Sequence, residues 1–421
     1  MPRVYCEAAV YWNGRNGAAA LRTPDGIGYH QGTLQPHGGA TAMSAGKPLG
    51  TFAEFFAGIG LVRLALEQCG WVAAFANDID AKKAEIYRHN WPSDQHLLLG
   101  DIHQIDVESL PSVELATGSF PCNDLSIAGK WDGLDGQESS AFWGLVSILD
   151  RLAERRPPLV LLENVVGFLQ RNGGRDLETA LLALNDLDYS VDVMLIDAVR
   201  FTPQSRPRLF VVASQGERLD RRTTACESDV RPKKLAQFIH LNDQIRWDVR
   251  ELPALPRSAL RVADIVEDLP DDDPQWWNRE RAEYFMGQLS PRHAEQAASM
   301  IAGPQVSYAT AFRRVRQGRS MAELRVDGIA GCLRTPRGGS GRQILFAAGC
   351  GDYRVRLLTA RECARLQGVS DDYVIDVPTN QALFGFGDAV CVPVIQWIAM
   401  NYLGPLLQER GIATFAETAG G

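Results

Sequence analysis

The chain has 421 residues, with 43 Lys and Arg against 51 Asp and Glu, a net charge of −8, 45% apolar and 22% charged residues. This is the balance of a globular protein of two or three domains; it excludes a chain coated in basic surface, although a local basic face suffices for nucleic acid. No apolar run is long enough to span a bilayer, no secretory leader is visible, and eight scattered cysteines form no CxxC pair or Cys/His cluster, so a reduced, cytoplasmic protein with neither metal nor membrane partner is expected.

Residues 1–47, rich in Gly, Ala and polar residues without a sustained period, read as a poorly ordered N-terminal extension, and Met43 is an alternative start. From residue 48 to 215 the pattern alternates. "TFAEFF" (51–56) predicts a strand and "LVRLALEQCGW" (61–71) a helix with apolar residues at Leu61, Leu64, Ala65 and Cys69. Further strands are predicted at "VAAFA", "HLLLGD", "VELATGS", "PLVLLEN", "SVDVMLIDA" and "RLFVVAS", with helices at "DAKKAEIYRHN", "FWGLVSILDRLAE" and "DLETALLALNDL". Short apolar strands separated by helices predict an α/β fold: a parallel sheet covered on both faces. Ligands then bind beyond the carboxyl ends of the strands. Residues 216–345 lose the alternation and contain Pro, Trp, Arg and the acidic "EDLPDDD", which predicts a second, irregular domain. Residues 346–405 regain helical pattern and close back on the first domain, leaving 406–421 as a tail.

The strand ends collect candidate chemistry. "FFAGIGL" (Phe55–Leu61) has glycines at 58 and 60 where a backbone can approach a ligand at a helix N-terminus, although a plain tight turn has the same composition. About 20 residues later, Asn77-Asp78 ends the second strand, where a carboxylate can take ribose hydroxyls. Gly100-Asp101-Ile102 ends the third. Together they suggest a nucleoside cofactor, with Asp78 at the sugar and Asp101 near the base. Pro121-Cys122-Asn123 follows the fourth strand and Glu163-Asn164-Val165 the fifth. A carboxylate at the end of an apolar strand needs a partner or a task, even if only as a helix cap. "QSRPR" (Gln204–Arg208) precedes the last strand; alone, it fits a solvated turn equally well.

In this order FxGxG, PC, ENV, QxRxR and Gly387–Pro393 resemble the DNA (cytosine-5)-methyltransferase family, of bacterial type, over about residues 50–215 and 325–403. The resemblance implies a Rossmann-like S-adenosylmethionine-dependent core at 48–215 and a smaller irregular target-recognition domain at 216–345. It implies that Cys122 adds to C6 of a flipped cytosine so that C5 can take a methyl group. Glu163 would act at N3, and Arg208, with Arg206 as second candidate, at O2. The donor site would comprise Phe55, Gly58, Gly60, Asp78, Ile79, Asp101, Ile102, Pro121, Asp388, Ala389 and Val390.

Residues 313–342 hold eight Arg (313, 314, 316, 319, 325, 334, 337, 342) against Glu323 and Asp327. A charge run is usually a solvated face. Beside a base-modifying core, Arg313, Arg314, Arg316, Arg334, Arg337 and Arg342, with Asn123 and Gln204, become candidates for contacts to double-stranded DNA. Trp276 and Trp277 read as packing. Two residues depart from the family pattern: Asn123 stands where Gln is commoner, and Asp388 where Asn is commoner. A carboxylate at 388 facing the donor's own carboxylate would weaken binding unless a cation intervenes. The partners implied are duplex DNA and a cognate restriction endonuclease, with the enzyme monomeric and nucleoid-associated in restriction-modification or phage defence. The rivals are a tRNA-directed enzyme, a non-catalytic DNA-binding regulator on the same fold, and a dinucleotide-dependent oxidoreductase, which would lack GxGxxG.

Overall fold

The computed structural model describes residues 48–93, 95–120, 141–216, 226–316, 318–335 and 341–410, together with a two-residue ladder pairing Val10–Tyr11 with Ala20–Leu21. Pro121, Cys122, Asn123, Arg337 and the side chain of Arg316 lie outside the described residues.

A seven-stranded sheet is built from β1 (Gly50–Phe55), β2 (Trp71–Asp78), β3 (Leu97–Leu99), β4 (Leu115–Gly118), β5 (Leu159–Val165), β6 (Ser190–Asp197) and β7 (Pro207–Ser214). Its order is β3-β2-β1-β4-β5-β7-β6. The first five strands are parallel, as expected, but β7 runs antiparallel to both β5 and β6. The reason lies in the link: residues 198–206 are fewer than the dozen or so that a parallel crossover needs, so β7 must return antiparallel. β1 neighbours both β2 and β4, so the chain leaves it in opposite directions and opens a crevice at its carboxyl end.

Both faces are covered. On one, α1 (Leu61–Gln68) buries Leu61, Val62, Ala65 and Leu66 against Phe52 and Trp71. The same cluster takes Val394, Ile395 and Ile398 of α11 (Val392–Ile398) and Leu406 of α12 (Gly404–Arg410). The long apolar stretch that ends the described chain is thus largely core, broken by extended backbone at Ala389. On the other face α3 (Ala141–Arg151) and α5 (Arg175–Asp186) pack Ile148, Leu149, Leu177 and Leu181, joined by Leu235 and Ile239 of α6 (Lys233–Leu241) and by Trp247. A short α4 (Gly167–Gln170) follows β5.

A second core lies under an antiparallel sheet of β8 (Ser307–Arg316), β9 (Arg319–Arg325), β10 (Ile344–Gly349) and β11 (Asp352–Leu357), in the order β9-β8-β10-β11. Phe285 of α7 (Arg279–Met286) and Ala297 of α8 (Pro291–Ile301) pack on Ala309, Ala311, Phe346 and Val355. The region expected to be irregular therefore carries a sheet, and that sheet runs past residue 345 to 357. Half of its buried inward residues are alanine (Ala309, Ala311, Ala322 and Ala348), a weak strand former, which hides the alternation in the sequence. Helix α9 (Ala360–Leu366) opens with a Thr359/Glu362 capping box, and α10 (Thr379–Asp388) leads back to the crevice.

Candidate active site

The loop after β1 is held in a shape most residues avoid. Phe56, Gly58 and Gly60 have φ of 59°, 58° and 81°. At Gly60 a Cβ would lie 2.4 Å from the Trp91 ring, so only glycine fits. At Gly58 the space beside the backbone is open. The Gly58 amide donates to Asp78 Oδ2 at 2.7 Å, and the Asp80 amide to Oδ1 at 2.7 Å. Asp78 thus fastens two loops, with burial raising its pKa against those amides and against Lys83. Asn77 beside it donates to the carbonyls of Leu98 and Gly100 at 3.0 and 2.9 Å, which draws the end of β3 alongside. Asp101 follows and caps His103 at 3.0 Å. Ile79 is 71% exposed on this rim, an apolar surface against which a flat ring could lie.

Three expected donor contacts are placed in the core instead. Phe55 is buried against Phe75, with ring centroids 5.7 Å apart, because strand alternation turns it inward. The loop residue is Phe56, from which the FxGxG spacing actually counts and which reaches towards Gly118 at the end of β4. Ile102 and Val390 are also buried, so only their main chain can face the crevice.

At the ends of β5 and β7 a carboxylate meets a guanidinium. Val165 pairs with Arg208 in the ladder, and Glu163 with Phe210, so Glu163 and Arg208 are diagonal neighbours on one face. Arg208 Nε lies 2.9 Å from Glu163 Oε1. Burial raises the pKa of Glu163, Arg208 and Arg206 pull it back, and Asp388 adds to the rise. Asn164 donates to the Phe120 carbonyl at 3.2 Å, tying the end of β5 to the residue just before Pro121-Cys122.

Two expected site residues have other partners. Arg206, 2% exposed, donates to the carbonyls of Leu333 at 2.8 Å, Gly387 at 3.1 Å and Ala389 at 2.6 Å. It is a clamp that joins the late motif to the sheet, not a free guanidinium on the rim. Gln204, expected to touch DNA, is fully buried: its amide donates to the Leu366 carbonyl at 2.9 Å and accepts from the Leu333 amide at 2.9 Å. Both sit in the link that enters β7, under the returning chain, a contact that sequence alone does not reveal. Cys332 Sγ lies 3.4 Å from Arg206 and 3.8 Å from Arg208.

Asp388 has the cation its position called for. Lys83 Nζ of α2 (Ala81–Asn90) lies 2.7 Å from its Oδ2. Lys83 was not singled out in the sequence, where 305 residues separate it from its partner. Ala389 is half-buried and contributes its carbonyl to Arg206 and Gln367.

The arginines of the second domain do not form one stripe. Arg313 and Arg314 point to opposite faces of β8. Arg313 donates to Gln288 at 2.9 Å and lies 5.4 Å from the Trp277 ring. Arg314 lies 4.8 Å from the Phe312 ring and 3.6 Å from Glu323. Arg334 is exposed, and Arg342 donates to Asn380.

Residues 50–403 match the sequence pattern of the C-5 cytosine-specific DNA methylases. Type II methyltransferase M.HhaI of Haemophilus parahaemolyticus is 28% identical over 355 residues, 83% of this chain and 93% of its own. Type II methyltransferase M1.ScrFI of Lactococcus lactis subsp. cremoris is 29% identical, over 85% and 79%. In fold, the Dnmt2 methyltransferase of S. pombe superposes with a TM-score of 0.55 at 17% identity, covering 85% of this chain and 98% of that one. The methyltransferase EhMeth of Entamoeba histolytica gives 0.54 at 15%, covering 85% and 98%. The chain belongs to the C-5 cytosine-specific DNA methylase family and is a DNA cytosine-5 methyltransferase.

Proposed function

We propose that the enzyme methylates a cytosine flipped out of duplex DNA, with Cys122 as nucleophile, Glu163 and Arg208 as the groups that take up charge on the ring, and S-adenosylmethionine as donor. The observation that carries this is the Glu163–Arg208 contact of 2.9 Å at the strand ends, with Asn164 tethering the chain just before Cys122. Thiolate addition at C6 puts negative charge onto the pyrimidine. Burial tilts Glu163 towards its protonated form, which can donate to N3, and the Arg208 guanidinium answers O2. Arg206 has no such part; it fixes the frame.

The crevice suits the donor: an open backbone at Gly58, a fastened carboxylate at Asp78 and exposed Ile79 fit a nucleoside. Bound S-adenosylmethionine supplies the electrophilic methyl group that C5 of the activated ring takes up. Asp78 would hold the ribose and Asp101 the base, with Phe56 and the main chain of Ala389 beside them. Base extrusion costs roughly a few kcal/mol, which the second domain would offset through its arginines. The type II names of the relatives support a cognate restriction endonuclease acting on the same site, and we place the enzyme there as a monomer.

The test is to incubate the protein with radiolabelled S-adenosylmethionine and either genomic DNA or tRNA, and to map 5-methylcytosine. Label in DNA that disappears with Cys122→Ser and falls steeply with Glu163→Gln is expected. Label on tRNA alone, or label indifferent to Cys122→Ser, refutes the proposal.

A further inference from the structure

Lys83 and Asp388 each stand at the wrong end of a helix. Lys83 lies in the first turn of α2, where the N-cap carboxylate of Asp80 is already engaged, accepting the Lys82 and Lys83 amides at 2.9 and 3.3 Å. Asp388 is the last residue of α10, whose last turn has no basic residue. Each charge opposes its own helix dipole, and each is answered by the other across 2.7 Å. The pair is only partly covered, with the Lys83 and Asp388 side chains 20% and 46% exposed, so its contribution to stability is small. Nor is it needed to dock the two helices. Gln381 of α10 bonds the Lys82 carbonyl at 2.9 Å and Glu85 at 2.7 Å, and Asn90 of α2 brackets Val374, just ahead of α10, at 3.1 and 2.8 Å.

Its position is more telling. Lys83 acts electrostatically on Asp78, the carboxylate at the sugar end of the crevice, and Asp388 acts on Glu163, at the reacting end. Geometry ties the pair to both ends: the Asp80 amide donates to Asp78 while the Asp80 carboxylate accepts the Lys83 amide, and Asp388 sits between Gly387 and Ala389, whose carbonyls Arg206 holds. The donor carries an amino-acid end with its own carboxylate, and an unpaired Asp388 would repel it.

We propose that Lys83 is a positioning residue for the methyl donor: by neutralising Asp388 and holding it aside, it allows this enzyme to keep an acid at 388 and still accept the donor's carboxylate. The inference rests on the proposed binding of S-adenosylmethionine in this crevice. It assigns to Lys83 no contact with the reacting atoms.

The experiment compares two ligands by calorimetry on the whole protein. S-adenosylhomocysteine has the amino-acid end; 5′-methylthioadenosine has the same nucleoside and thioether without it. Lys83→Met should weaken S-adenosylhomocysteine about tenfold and leave 5′-methylthioadenosine within about twofold, because only the first presents a carboxylate to Asp388. Lys83→Arg should bind both as the wild type does. Adding Asp388→Asn to Lys83→Met should restore S-adenosylhomocysteine to within about threefold of wild type, a coupling that removal of a merely structural contact would not give. Equal losses for both ligands, no loss for either, or no rescue by Asp388→Asn would overturn the inference. Failure of the wild type to bind S-adenosylhomocysteine would instead overturn the donor assignment on which it stands.

Discussion

Replacing Arg206 with Met separates framework from chemistry. The Arg206 guanidinium donates to the carbonyls of Leu333, Gly387 and Ala389, all inside the protein. Methionine fills a similar volume and donates nothing. Burying those carbonyls without their donor loses hydrogen bonds from a charged group, each worth about 1.5–3 kcal/mol, partly offset because the cost of burying the guanidinium also disappears. A net loss of about 3–5 kcal/mol follows, a fall in melting temperature on the order of 10 °C. The same change loosens the Gly387–Ala389 turn, so S-adenosylhomocysteine binding should weaken as well. Arg208→Met is the control: its guanidinium is the one proposed to serve the ring, so methylation should fall by about 100-fold or more, while melting drops less than with Arg206→Met because Glu163 can take up a proton once its partner is gone. Thermal melts, calorimetry and single-turnover methylation on the two variants give the comparison. An Arg206→Met protein that melts like wild type yet fails to methylate would refute the division of labour.

Other expectations are as direct. Glu54, on β1 just before the Phe56–Gly60 loop, is 2% exposed, and burial lifts its pKa from 4.5 to about 8 against the pull of Arg63. A raised carboxyl contributes stability that is fully present below 4.5 and lost as pH rises to about 8, so the wild type should lose melting temperature between those two values and level off above them. Glu54→Gln should flatten that loss, and a variant with unchanged pH dependence would contradict the assignment. Gly60→Ala places a Cβ 2.4 Å from Trp91 at a φ of 81°, and should cost about 2–4 kcal/mol in thermal or urea unfolding, with donor binding reduced. Glu163→Gln should lower the single-turnover methylation rate by about 10²–10⁴ while S-adenosylhomocysteine affinity stays within about threefold.

The first domain was legible because its strands are apolar on both faces and its helices keep a 3.6-residue stripe; Leu159–Leu162 and Leu61–Leu66 declare themselves. Strand direction was not legible. Nothing within "RLFVVAS" separates parallel from antiparallel, and only the shortness of 198–206 does. The second sheet was obscured by Ala309, Ala311 and Ala322 at its inward positions and by arginines at its outward ones. Asp78, Glu163 and Arg208 stand out in the sequence because charged side chains at the ends of apolar strands need a reason. Gln204 and Arg206 were given the wrong surroundings for the converse reason: polar side chains look exposed until the chain that covers them, here 332–333 and 387–389, is in place. Phe55 and Phe56 differ by one residue, which in a strand is the difference between core and rim. Lys83 left one clue, a lysine in the first turn of a helix, where a cation opposes the dipole. Asp388 left the other, as an acid in want of a cation.

The central claim is that Cys122 forms a covalent bond to the target base, and a trapped adduct tests it most directly. Duplex DNA with 5-fluorocytosine in place of cytosine, incubated with enzyme and S-adenosylmethionine, should give a denaturant-stable protein–DNA species, because fluorine at C5 cannot leave as a proton. Mass mapping should place the base on Cys122, and Cys122→Ser should give none. A stable adduct on another residue, or methylation of ordinary DNA with no adduct on the fluorinated duplex, would contradict the account.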